Sequence, residues 1–229
     1  MGIALCFVPL ILAVVIFAAG FKIKFLHLLI AVLMGLIAVL PISFIQYFIP
    51  EIPGLTGLPI SPVVSALLKS LLLYGLVEEA IKTLALIPVP HKSYNFADEA
   101  DRAGCLNFLL LAFTAGLSLG CFESVVYYFD HLQIANSRGA TLLYGQIAVR
   151  IFTSDIIHMT CTGLCGLFVY SCRKKPCRVS CLVMAVLLHG IYDFFAGFSS
   201  GLRWFSVAVV LMAIAECRIK FQANFSPKP

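Results

Sequence analysis

Apolar runs long enough to cross a bilayer recur along this chain, at about 2–21, 26–49, 70–90, 104–128, 148–171, 179–199 and 202–217. A membrane-spanning helix needs about 20 such residues. The mean hydropathy of +1.02 over 229 residues leaves more apolar surface than a soluble domain of this size can bury. The chain therefore reads as an all-α, polytopic transmembrane bundle of about seven spans, one integral membrane domain over 1–229 with no soluble appendage. Its formal net charge is +5. The basic residues sit in short loops between apolar runs, which argues against nucleic acid as a partner and for the lipid bilayer. The start, Met1-Gly2-Ile3-Ala4, has no basic stretch ahead of its apolar run, so the first span reads as retained.

The loops also carry an orientation. Lys22 and Lys24 follow the first run, Lys92 and Arg102 the third, Arg173, Lys174, Lys175 and Arg178 the fifth, and Arg218, Lys220 and Lys228 the last. The opposite loops hold only Arg138 and Arg203, with Lys69 and Arg150 near helix starts. Cytoplasmic loops are the ones enriched in Lys and Arg, so the N-terminus is expected outside and the C-terminus in the cytoplasm. Lys69 and Arg150 are then expected to snorkel to the outer surface. At about 1.5 Å rise per residue, Glu78 and Glu79 lie roughly 14 Å below Lys69, and His158 about 12 Å below Arg150. A third helix starting as early as Pro62 is expected to leave Glu123 stranded. Between the second and third runs, Pro50 to Pro62 reads as an irregular loop, and Ser61-Pro62 as a helix cap. Pro41 is expected to kink the second span. The nine cysteines lack a paired C-x-x-C spacing and read as small buried hydrophobes, with Cys172 and Cys177 flanking a basic loop.

Against this background the ionisable side chains inside the spans stand out, because a charge at the bilayer centre costs roughly 2.5 kcal/mol or more. They are Glu78, Glu79, Glu123, Asp155 and Asp193, with His158 and His189. Adjacent Glu78 and Glu79 diverge by about 100° around a helix, so they cannot share one role. Lys82 can pair with either, holding one carboxylate and leaving the other to act as a base. The plainer alternative is a structural ion pair plus one acid facing water. Glu123 and Tyr127, His158 and Thr162, and His189 and Asp193 each share a helical face at i, i+4. The last spacing suits two ligands to one metal, or a histidine oriented by a carboxylate. Plainer readings remain here too: membrane histidines bonded to a neighbouring helix, interfacial tyrosines at 127 and 128, and Asp155 in a supporting or topological role. Gly116, Ser118 and Gly120 favour close helix approach.

Taken together, Glu78-Glu79-x-x-Lys82, Phe122-Glu123-x-x-x-Tyr127, His158-x-x-x-Thr162 and His189-Gly190-x-x-Asp193, in this order on consecutive helices, resemble the PrsW family of intramembrane proteases. That family is distantly related to the CAAX prenyl endopeptidases and to the Aph subunit of gamma-secretase. The resemblance covers about 70–199, which it marks as the catalytic core. Arg150 also fits the family pattern, whereas Ser124 stands where Asn is expected. The resemblance implies cleavage of a single-pass membrane protein, such as an anti-sigma factor, near its extracytoplasmic side, in a bacterial cytoplasmic membrane. Glu78 is expected to activate water, with Glu79 and Lys82 in electrostatic support and Glu123 in the same site. Two mechanisms stay open. His158, His189 and Asp193 could form a three-ligand zinc site with an open position. Alternatively, a metal-free glutamate mechanism has the histidines share acid–base and oxyanion work. The second is preferred, since the compact zinc signature H-E-x-x-H is missing.

Two other classes also place acids in a membrane. An ion-coupled transporter is expected to show an internal repeat or matched broken helices, and the sequence shows neither. A non-catalytic scaffold is expected to keep the histidines and lose the acids, but Glu78 and Glu79 are present.

Overall fold

The computed structural model describes residues 2–49, 60–90, 99–133, 139–173, 177–199 and 201–223. Among them every element is helical: α1 (Gly2–Cys6), α2 (Val8–Gly20), α3 (Phe25–Phe48), α4 (Pro62–Lys69), a π-helical segment (Ser70–Leu76), α5 (Val77–Leu86), α6 (Glu99–Asp130), α7 (Ala140–Phe152), α8 (Ser154–Cys172), α9 (Val179–Ala196), a 3-10 turn (Gly201–Trp204) and α10 (Phe205–Ala223). Four stretches are long and apolar enough to cross a membrane: Phe25–Phe48, Arg102–Asp130, Ala140–Cys172 and Val179–Ala196. Val8–Gly20 is a shorter apolar helix. Most of the expected loop before Pro62, and the basic residues Lys92, Arg138, Lys174, Lys175 and Lys228, lie outside the described residues.

Three boundaries differ from the sequence expectation. The first run breaks at Phe7, because Pro9 falls in the first turn of α2 and a proline ring there cannot follow a continuous helix. The third helix begins at Pro62 rather than near 70. Ser61 Oγ accepts from the Val64 N–H at 3.3 Å and proline occupies the first turn, so the expected cap is present. Lys69 therefore lies inside a continuous helical run, with its ammonium 6.0 Å from the Tyr74 ring centre. The fifth helix begins at Ala140 and is interrupted at Thr153, whose N–H bonds back to the Arg150 carbonyl in a tightened turn. Pro41 sits inside α3 without ending it.

Helix α8 is the centre of the bundle, with nearly all of its side chains buried. It packs most extensively on α6, along a seam of small residues. A Cβ at Gly116 would stand 2.5 Å from the His158 carbonyl oxygen, and one at Gly120 would stand 3.0 Å from Asp155 Cα. Only hydrogen fits at those two positions, so the two backbones run close enough for short polar side chains to meet across them. Ser118, between them, donates to the Val32 carbonyl of α3 at 2.9 Å. Around the outside stand exposed apolar side chains, among them Ile11, Leu12, Leu40, Phe44, Leu211 and Met212, the surface a bilayer covers. Seven cysteines are buried thiols, as expected. Cys172 and Cys177 are bonded to each other, which the sequence did not suggest.

The second close approach joins the π-helical segment to α9. A Cβ at Gly75 would meet the Val186 carbonyl oxygen at 2.5 Å. Gly75→Ala is expected to destabilise the fold by about 1–3 kcal/mol, the usual cost of overpacking, because the clash is with backbone. Gly145→Ala, with nothing within 4 Å of the new Cβ, is expected to leave the melting temperature unchanged or raise it. Thermal unfolding of the two purified variants in one detergent checks the contrast.

Candidate active site

Two helix contacts assemble the polar cluster. Across the α6–α8 seam, His158 Nε2 donates to Glu123 Oε2 at 2.8 Å. On the other side, α9 brings His189 against α5, where His189 Nδ1 donates to Glu79 Oε1 at 2.7 Å. Carboxylate oxygens accept, so these two contacts favour a proton on His158 Nε2 and on His189 Nδ1. Of the remaining nitrogens, His158 Nδ1 accepts from Lys82 Nζ at 2.9 Å and His189 Nε2 faces Asp193 Oδ2 at 3.4 Å. The two lie 4.0 and 3.7 Å from the same atom, Glu78 Oε2.

Glu78 and Glu79 take the different roles that their divergence requires. Glu79 is fully buried and fully engaged: besides His189, it accepts from Lys82 Nζ at 2.7 Å and from the Cys165 thiol at 3.2 Å. Glu78 Oε1 accepts from Gln46 Nε2 at 2.8 Å, while Oε2 is buried with no hydrogen-bond partner among the described residues. Lys82 Nζ sits between the two acids, 3.4 Å from Glu78 Oε2 and 2.9 Å from His158 Nδ1. The cluster opens into a cleft of about 460 Å³ lined by Gln46, Tyr74, Glu78, Glu123, His158 and Asp193 among others.

All seven residues expected from the sequence, Glu78, Glu79, Lys82, Glu123, His158, His189 and Asp193, are in this cluster. Several of their expected relations change. Glu123 is not stranded by the early helix start, because the glycine seam brings α6 directly beneath His158. Arg150 does not snorkel: its guanidinium turns inward to Ser154 Oγ at 3.1 Å and Glu123 Oε2 at 3.9 Å, and covers the Tyr127 ring at 4.7 Å. Tyr127 stacks on His131 on its other side, so its ring packs rather than pairing with Glu123. Thr162 Oγ1 is buried against the Gly116 backbone, without a hydrogen-bond partner among the described residues, and does not serve His158. Asp155 lies beside the cluster and accepts from Ser124 Oγ at 2.9 Å and from the Cys121 thiol. Ser124 thus ties α6 to α8 one residue beyond Glu123.

Gln46 is the residue that sequence reasoning missed. Its signal was present: Ser43 and Gln46, one turn apart, are the polar residues of the second half of an otherwise apolar α3, and both line the cleft.

The cluster offers a candidate metal-ligand set that differs from the expected His158, His189 and Asp193. Glu78, His158 and His189 offer one ligand atom each within 4.8 Å of one another. Asp193, one turn beyond His189, reaches only His189 Nε2, at 3.4 Å. Zinc bound at about 2.0–2.2 Å from each ligand needs ligand separations of about 3.4 Å, so a small contraction would close the site. Glu78 Oε2 has no hydrogen-bond partner among the described residues, which suits a divalent cation, while the Lys82 ammonium 2.9 Å from His158 Nδ1 would have to move aside for one. Each histidine already carries a carboxylate on its far nitrogen, an arrangement that recurs around bound zinc.

A family model described as PrsW family intramembrane metalloprotease matches residues 24–216. No curated protein and no solved structure matches significantly.

Removing one member of a buried ion pair costs about 3–5 kcal/mol, because the partner is left charged and uncompensated. Lys82→Met is therefore expected to destabilise the protein by that order. Adding Glu79→Gln to it should recover much of the loss. A double-mutant cycle on unfolding in detergent reads the coupling, and simple additivity of the two changes would disprove it.

Proposed function

Because the chain belongs to the PrsW family of intramembrane peptidases, we propose that it cleaves a single-pass membrane protein near that protein's extracytoplasmic side. Glu78 Oε2 is the proposed base for the attacking water. The observation that carries this reading is that oxygen's situation: buried, without a hydrogen-bond partner among the described residues, and within 4.0 Å of a ring nitrogen of each histidine. A water held there would donate one proton to Glu78 Oε2. Its oxygen would attack the scissile carbonyl as its proton passes to Glu78 Oε2, and that proton would leave on the amine of the departing product. Gln46 fixes the other carboxylate oxygen, so the basic lone pair keeps its direction. Glu123 and Glu79 hold the two imidazole rings against rotation. A transmembrane anti-sigma factor is the kind of substrate that the family resemblance suggests.

A divalent metal such as zinc would be held by Glu78, His158 and His189, and would supply Lewis acidity toward carbonyl and water. The family's description as a metalloprotease and the ligand set favour this over the metal-free mechanism preferred from the sequence, and Glu78 is then a ligand rather than the base. Glu78→Gln is expected to lower turnover about 10²-fold or more with little loss of stability. Metal content decides between the mechanisms. About one equivalent of zinc per chain, lost in His189→Ala together with turnover, supports the metal reading. Turnover that survives a strong chelator returns the reaction to the glutamate mechanism.

The bias of basic residues supports an outside N-terminus, a cytoplasmic C-terminus and about seven crossings of a bacterial cytoplasmic membrane. The cluster lies toward the ends of α6 and α9, at Asp130 and Ala196, which this orientation puts at the outer face. A reporter fused after Lys175 is expected to read cytoplasmic, and one placed in 130–140 to read outside. The opposite result would move the cleft to the inner face. On this orientation Cys172 and Cys177 face a reducing compartment and are expected as two thiols in the cell.

A further inference from the structure

Arg203, like Arg138, departs from the charge bias of the loops, and its surroundings suggest why. It lies in the 3-10 turn between α9 and α10 and lines a second chamber of about 710 Å³. That volume is within the usual range of ligand pockets, roughly 300–1,000 Å³. The chamber and the catalytic cleft share a wall made of Tyr127, Arg150, Tyr192, Ala196 and Gly197.

The two spaces have opposite character. The cleft is lined by Glu78, Glu123, Asp130 and Asp193. The chamber is lined by two guanidiniums, Arg150 and Arg203, and by no carboxylate among the described residues. Arg203 is exposed and makes no ion pair among the described residues. Arg150 Nε, on the shared wall, is buried and unpartnered among them. A guanidinium is less strongly hydrated than an ammonium and offers paired donors that match a carboxylate.

We propose that this chamber is a substrate subsite that binds an acidic side chain of the segment flanking the scissile bond, with Arg203 as its specificity-determining residue. The assignment as a substrate subsite rests on the peptidase reading; the carboxylate selectivity of the chamber does not. Two positive groups beside an acid-rich cleft also set direction, since the same acidic side chain is repelled from the cleft and held in the chamber.

The chain carries its own reporter, because Trp204 is its single tryptophan and lines the chamber. Glu78→Gln protein in zwitterionic nanodiscs is titrated with three acetylated, amidated pentapeptides that differ only in two central residues, Asp-Asp, Asn-Asn or Lys-Lys. Trp204 emission is the readout. The Asp-Asp peptide is expected to saturate at a concentration at least about tenfold lower than the Asn-Asn peptide, as a charge-assisted contact gives, and the Lys-Lys peptide to bind weakest. Arg203→Glu is expected to reverse that order, a gain that misfolded protein cannot produce, and Arg203→Lys to keep the order with weaker binding. Equal binding of Asp-Asp and Asn-Asn, or an acidic preference that survives Arg203→Glu, overturns the proposal. So do nanodiscs of anionic lipid that shift Trp204 emission to its saturated value and block the acidic peptide, for the occupant is then a lipid phosphate. Failure of the peptidase reading would appear separately, as absence of cleavage by the wild type with the peptide order intact.

Discussion

One ammonium group organises the centre of this bundle. Lys82 Nζ has given up water, and the groups around it replace that water: Glu79 and Glu78 from its own helix α5, and His158 from α8. A buried cation survives only when it is paired and hydrogen-bonded. The helices that supply its partners are therefore fixed relative to one another, and the same contacts leave Glu78 Oε2 as the one carboxylate oxygen of the pair without a hydrogen-bond partner among the described residues.

Close backbone packing is the condition for that arrangement. Carboxylate and imidazole side chains are short, so Glu123 can reach His158 only if α6 and α8 run nearly in contact. Glycine at 116 and 120 makes this possible. The π-helical segment before Glu78 meets α9 in the same way, through Gly75. A π segment changes the register of all that follows it, and here it precedes the two glutamates directly. The price of stability accepted in these unusual packings is consistent with a site that must hold polar groups within an apolar shell.

The arrangement also divides labour between charges. Glu79 and Glu123 each place an oxygen on a histidine, while Glu78 keeps one oxygen without a hydrogen bond among the described residues. The bound oxygens aim the groups around it. Arg150 extends the same logic outward. It braces Glu123 and forms part of the wall between the acid-rich cleft and the arginine-lined chamber.

Composition and spacing alone determined the all-helical class, the membrane as solvent and the seven polar residues of the cluster, because a bilayer penalises every unexplained charge and a helix places i and i+4 on one face. They also indicated the Ser61-Pro62 cap, whose chemistry is local. Only the tertiary structure decided which residue faces which. Glu78 rather than Asp193 joins the two histidines, Arg150 turns inward rather than to the surface, and Gln46 enters from a helix that none of the motifs touched. Those relations depend on helix rotation and crossing, set by glycine contacts far apart in the chain, and no periodicity within a single helix encodes them.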